Sequence, residues 1–245
     1  MASRDPATAT DPDERPDAGE APPRFKDRLK RFAHGALDPV VNLLVATGAR
    51  PDQVTVLGLL LSVAAALAFF EGMFRLGSLL LILSGICDIL DGQIARRDGM
   101  STRFGAFLDS TLDRLADALV LAGIGGFYII HLVELVIDPP RAVMEITRDL
   151  EPVVWARIAM IAVLALIGSF MVSYTRARAE GLGLDCKVGW FERPERMVLL
   201  IVAGLFGVGP VMPAALIILA LLSSATAIQR VAHVWKITRT AGMDR

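Results

Sequence analysis

Four carboxylates, Asp88, Asp91, Asp109 and Asp113, stand in or beside strongly apolar stretches of this chain. Asp88 and Asp91 are spaced i, i+3, and Asp109 and Asp113 i, i+4, so each pair shares one helix face. The segments that carry them are joined by a short link and should run antiparallel, which lets both pairs converge. Carboxylates at membrane depth stay ionised only if their charge is compensated. An all-oxygen donor set without His or Cys suits Mg²⁺ or Mn²⁺ and argues against zinc. Structural ion pairs with Arg96, Arg97, Arg103 and Arg114 would account for one or two of these acids, but not for two facing pairs. Gly92 and Gly105, beside the acids, either admit a ligand close to the backbone or allow close helix packing.

A second polar cluster gathers at the same end of the molecule. It comprises Ser173–Glu180, Phe191–Arg196 and Gln229–Arg230. Arg176, Arg193, Arg196 and Arg230 could grip a phosphate through paired hydrogen bonds. Arg178 and Lys187 read instead as helix-end anchors to lipid headgroups. Asp117 continues the four-residue spacing; its role is open between hydrogen bonding in the pocket and pairing with Arg114.

The elements that must position these groups are membrane helices. The chain has 245 residues, 54% of them hydrophobic, and the apolar ones come in blocks: Gln53–Phe70, Ile158–Thr175 and Met197–Gln229 hold no charge at all. Blocks of about 18 or more such residues read as membrane spans. The last block is too long for one span, and its Gly207–Pro213 stretch is a turn signal. The expected fold is an all-α integral membrane protein with six transmembrane helices, at about 53–71, 76–97, 104–132, 153–178, 195–208 and 212–236. An amphipathic interfacial helix precedes them, with a kink at Pro39. The expected organisation is a disordered tail at 1–22, a juxtamembrane helix at 23–49 and a six-helix domain at 50–240. A net charge of −1 gives no signature for nucleic acid, and Cys87 and Cys186 make no disulfide framework. Neither do His34, His131 and His233 have metal-ligand spacing. Residues 1–22 lack the apolar stretch of a signal peptide. Lys and Arg concentrate at the helix ends that carry the carboxylates. The positive-inside rule therefore puts the amino terminus and the acids on the cytoplasmic side of a multi-pass plasma-membrane protein.

The run Asp88-x2-Asp91-Gly92-x2-Ala95-Arg96-x8-Gly105-x3-Asp109-x3-Asp113 resembles the signature of the CDP-alcohol phosphotransferases at every fixed position. The resemblance extends over about residues 24–240. It implies an integral membrane enzyme, usually a homodimer, that displaces CMP from a CDP-linked lipid such as CDP-diacylglycerol with an alcohol, using two divalent ions (Mg²⁺, or Mn²⁺). Asp88, Asp91, Asp109 and Asp113 would hold the ions, and Asp113 would be the general base. Asp52, Gln53, Val54, Thr55, Gly92, Arg96 and Thr102 match positions that contact the CDP-lipid. The arginine cluster looks like the branch that uses inositol phosphate, including its archaeal ether-lipid counterpart, which makes Arg176, Arg193, Arg196 and Arg230 the expected acceptor-phosphate ligands. The 133–152 loop and the Gly181–Trp190 approach look longer than usual for that branch, and Arg176 stands where Lys is frequent. Glycerol 3-phosphate is the rival acceptor. An ion-coupled transporter is a more remote alternative, since the acids lie on two spans only and near one face, and so is an aspartate-rich prenyltransferase, which normally has more than six spans and different Asp spacing.

Overall fold

The computed structural model describes residues 37–48, 50–97, 102–138, 140, 143, 152–240 and 242. The chain divides into two units, Met1–Val40 and Val41–Arg245. Among the described residues there are seven helices and no strand: α1 (Leu37–Ala46), α2 (Pro51–Phe70), α3 (Phe74–Arg97), α4 (Arg103–Ile137), α5 (Pro152–Gly181), α6 (Arg193–Leu205) and α7 (Val211–Thr240). The expected tail, and the juxtamembrane helix up to residue 36, lie outside the described residues, as does most of the 133–152 loop. Of that helix the structure describes α1, which holds Pro39 in its first described turn.

Local chemistry sets the helix starts that matter for the site. Pro51 opens α2 in the first turn, where its missing N–H costs nothing, and Asp52 follows where the helix dipole favours an acid. Thr102 caps α4, its Oγ1 accepting from the Gly105 N–H at 2.9 Å. At α6, Pro194 lies in the first turn and Glu195 Oε2 accepts from the Glu192 N–H at 3.0 Å.

α2 packs on α3 and α4, α5 on α4 and α7, and α6 on α3 and α7. At the end away from the carboxylates the helices are locked by aromatic contacts, Phe69 on Phe74 at 5.5 Å and Phe74 on Phe127 at 5.0 Å, both edge to face. Close approach of α2 and α4 depends on Gly123. A Cβ there would stand 2.2 Å from the Ala66 carbonyl oxygen, so the two backbones touch where any side chain would separate them. Large apolar residues such as Leu57, Leu60, Leu67, Leu79 and Leu83 point outward. The buried face carries small and polar residues, among them Ala65, Ala66, Ser62 and Ser84. Ser62 and Ser84 hydrogen-bond each other at 2.7 Å, and Ser84 donates to the Gly58 carbonyl at 2.9 Å. An apolar exterior, with this serine pair satisfied inside, suits a lipid surrounding.

Five helices, α2, α3, α4, α5 and α7, are long and apolar enough to cross a bilayer, so this is a multi-pass membrane protein. The sixth expected span, α6, has only 13 residues, about 20 Å of helix against a hydrocarbon core of about 30 Å. Its shortness has a geometric origin. Arg193, at its first turn, meets Asp88 and Asp113, which lie roughly 13–15 Å inside the adjoining ends of α3 and α4. At its other end, Gly204 presses against Ser78 and Phe74, near the start of α3. Thus α6 starts at the level of the site and covers only the remaining depth. The count of six full spans therefore does not follow from helix length.

Candidate active site

α3 and α4 both pack on α2, and three of the four motif acids they carry come together. One carboxylate oxygen from each of Asp88, Asp91 and Asp109 lies within 4.8 Å of the others. Asp91 is buried, and its Oδ2 accepts a 2.7 Å hydrogen bond from Thr55 Oγ1 of α2. Asp109 Oδ1 is buried without a hydrogen-bond partner. An orphaned buried carboxylate oxygen is costly, and a divalent cation beside it would satisfy it. The three-oxygen set, with no nitrogen or sulfur donor among the described residues at the cluster, fits such an ion.

The fourth acid has a different partner. Asp113 Oδ1 pairs with Arg193 Nη1 at 3.0 Å, and the same nitrogen lies 3.0 Å from Asp88 Oδ2. Arg193 Nε reaches Asp117 Oδ1 at 3.4 Å, and Arg196 Nη2 reaches Asp117 Oδ2 at 2.8 Å. So Asp117 pairs with the start of α6; Arg114 turns its guanidinium to the Ser110 carbonyl of its own helix. The sequence placed Arg193 and Arg196 at the right face, but gave no sign that they neutralise the acids themselves. The one available hint was a helix start rich in Arg and Glu, Glu192-Arg-Pro-Glu-Arg196, adjoining an otherwise apolar stretch.

A cavity of about 230 Å³ opens beside the acids. Asp109, Asp113 and Asp117 form one wall, and Arg176, Arg193, Arg196 and Arg230 another. All four arginines singled out from sequence thus line one space, each with a partner already. Arg176 pairs with Glu180 at 2.9 Å and with Glu192 at 3.5 Å. Arg230, only 2% exposed, donates to the Val188 carbonyl at 2.8 Å, the Val172 carbonyl at 2.5 Å and Glu192 Oε1 at 3.2 Å. Its three hydrogen bonds knit α5, the α5–α6 connection and α7 together. Arg196 Nη1 is buried and unpartnered, which leaves one donor of this wall for a ligand or a water.

The residues expected to contact a CDP-lipid divide. Thr55 supports Asp91. Asp52 Oδ1 lies 3.6 Å from where a Cβ on Gly105 would stand, which puts the start of α2 beside Thr102 and Gly105 at the start of α4. Arg96 folds back over Gly92, its Nη1 3.4 Å from the position of a Cβ there. Of this group Thr55 is the one whose side chain hydrogen-bonds an acid of the cluster, among the described residues. Gln53 and Val54 have other tasks: Gln53 Oε1 accepts from the Arg50 N–H at 3.1 Å, and Val54 is buried in the bundle.

An acidic trio able to hold a cation, opening inside a helical bundle onto an arginine-lined cavity, defines a polytopic membrane protein built to handle phosphorylated groups. The chain belongs to the CDP-alcohol phosphatidyltransferase family, whose pattern matches residues 49–235, and it is therefore a membrane transferase rather than a transporter. It is 36% identical over 218 residues to archaetidylinositol phosphate synthase of Methanothermobacter thermautotrophicus, covering 87% of this chain and 93% of that one. It is 36% identical over 216 residues to phosphatidylinositol phosphate synthase of Mycobacterium tuberculosis, covering 84% and 88%. The crystal structure of the latter with CDP-diacylglycerol bound superposes with a TM-score of 0.66 at 32% identity, over 84% of this chain and 94% of that one. Its complex with manganese and citrate gives a TM-score of 0.67 at 31% identity, over 80% and 88%.

Proposed function

We propose that this protein transfers the phosphatidyl group of CDP-diacylglycerol, or a related CDP-lipid, to inositol phosphate with release of CMP. The observation that carries this reading is the cavity that joins Asp109 and Asp113 to Arg176, Arg193, Arg196 and Arg230. An acceptor whose phosphate rests on the arginines lies in the same cavity as Asp109 and Asp113. The names of the relatives point to the same acceptor, and the bound CDP-diacylglycerol and manganese of the mycobacterial structures point to the same donor and ion class. No comparable observation favours glycerol 3-phosphate.

The chemistry divides among named residues. Asp88, Asp91 and Asp109 would hold a divalent ion, Mg²⁺ or Mn²⁺, which neutralises the CDP pyrophosphate and stabilises the leaving CMP. The second ion implied by the resemblance would share Asp113. Thr55 fixes the Asp91 carboxylate. Asp113 accepts the proton of the acceptor hydroxyl as its oxygen attacks the lipid-bearing phosphorus and the bond to CMP breaks. Arg193, beside Asp88, Asp113 and Asp117, keeps these acids charge-balanced between turnovers. Asp52, Gly92, Arg96 and Thr102, with Gln53 and Val54 as neighbours in sequence, make up the CDP-lipid side.

The concentration of basic residues at the site end supports a cytoplasm-facing site in the plasma membrane, and the resemblance supports a homodimer. The reading is tested with Arg176→Ala. The KM for inositol phosphate should rise about tenfold or more, the loss of a charged hydrogen bond, while that for CDP-diacylglycerol stays within about twofold. Equal changes in both would remove the cavity from the acceptor's path.

A further inference from the structure

Glu192 stands in the arginine wall of the cavity, the one carboxylate there that belongs neither to the acidic cluster nor to α4. Its Oε1 lies 3.5 Å from Arg176 Nη1 and 3.2 Å from Arg230 Nη2, so a single anionic oxygen bridges two guanidinium groups from α5 and α7. The place is built rather than accidental. Glu192 immediately precedes α6, and its backbone N–H is held by Glu195 Oε2. Arg230 cannot turn away, because its other two nitrogens are bonded to the Val188 and Val172 carbonyls. Gly189, at φ +123°, lets the connecting chain press onto Arg230: a Cβ there would stand 2.6 Å from Thr226 Cγ2 and 3.3 Å from Arg230 Nε. The guanidinium is therefore fixed, while the Glu192 carboxylate, which also faces the backbone N–H of Glu195 in the capping box of α6, is 38% exposed and is the partner solvent can reach.

A phosphate oxygen that is to bridge Arg176 and Arg230 needs the donors Glu192 occupies, and a phosphate beside an unmoved carboxylate meets like-charge repulsion. We propose that Glu192 is an internal stand-in for the acceptor's phosphate: it holds Arg176 and Arg230 in place while the cavity is empty and is displaced when the phosphate binds. This rests on the reading that the cavity takes the acceptor's phosphate, and it adds a residue that sets the affinity and threshold for that anion. Glu180 provides the contrast. It pairs with the same Arg176, at 2.9 Å, but lies one helical turn away, half exposed and outside the cavity lining.

The test is the affinity of inorganic phosphate for the full-length protein in detergent, read from the phosphate-dependent rise in Tm, which needs no turnover. Glu192→Gln should bind phosphate about fivefold more tightly than wild type, the scale of one partly exposed ion pair no longer competing. Glu180→Gln should change it by less than about twofold. Glu192→Asp keeps the charge but draws the oxygen back, and should fall between wild type and Gln, so the trend survives if one variant folds poorly. Unchanged or weaker binding in Glu192→Gln, equal tightening in Glu180→Gln, or no phosphate response in any of the proteins would each overturn the proposal. If Glu192→Gln tightens phosphate binding while the wild type releases no CMP with inositol phosphate, the stand-in holds and the choice of acceptor falls.

Discussion

The 2.7 Å hydrogen bond from Thr55 to Asp91 separates two accounts of one residue. Sequence resemblance makes Thr55 a contact to the CDP-lipid; the geometry makes it the support of a cation-binding carboxylate. Thr55→Val preserves shape and removes only the hydroxyl. Asp91 is 6% exposed, so no water readily replaces the lost donor. A hydrogen bond to a charged group is worth about 1.5–3 kcal/mol, and about 1.4 kcal/mol corresponds to a factor of ten. Metal affinity should then fall about 10- to 100-fold, the range seen when the outer partner of a metal ligand is removed. The assay is a Mn²⁺ titration of purified protein, followed by Tm and by electron paramagnetic resonance of free Mn²⁺. Excess metal should restore most of kcat, with the CDP-diacylglycerol KM within about twofold of wild type. Unchanged Mn²⁺ affinity together with a raised CDP-diacylglycerol KM would refute the support role and restore the lipid-contact assignment.

Other expectations follow from single contacts. Asp109→Asn should abolish CMP release and metal-dependent stabilisation together; retention of the Mn²⁺-induced rise in Tm would exclude Asp109 as a ligand. Arg193→Ala strips Asp88, Asp113 and Asp117 of a shared partner and should destabilise the metal-free protein by about 3 kcal/mol. The loss should be smaller in saturating Mn²⁺, which can balance part of the same charge, and an equal Tm drop with and without metal would contradict that coupling. Gly123→Ala forces a Cβ against the Ala66 backbone and should cost at least about 2 kcal/mol, seen as a lower Tm; a Tm unchanged within a degree would show that α2 and α4 separate freely.

Much of the fold could be read from charge-free blocks, because lipid exposure leaves a plain signal: each helix must present apolar residues outward. The motif spacing led to the acids that meet, Asp88, Asp91 and Asp109, since i, i+3 and i, i+4 geometry holds wherever the helix lies. The length of α6 was not readable in this way. Met197–Gln229 is uniformly apolar, and nothing local says that α6 starts at the depth of Asp88. That depth is set by Arg193 meeting acids from two other helices. Ion-pair partners far apart in sequence, such as Arg196 with Asp117 and Arg230 with Glu192, were unreadable for the same reason. Charge at one membrane face identifies a common region, not who faces whom. Gln53 and Val54 belong to a stretch whose neighbours reach the site, yet helical rotation turns Val54 into the bundle and a local cap engages Gln53.

The most direct measurement is CMP release by the purified wild-type protein with CDP-diacylglycerol and Mg²⁺, comparing inositol 1-phosphate, free inositol, glycerol 3-phosphate and serine as acceptors. Release with inositol 1-phosphate well above the other three, and its loss in EDTA, is the outcome the arginine-lined cavity beside the acids predicts. Release driven equally by glycerol 3-phosphate, or by free inositol without a phosphate for the arginines to hold, would contradict it.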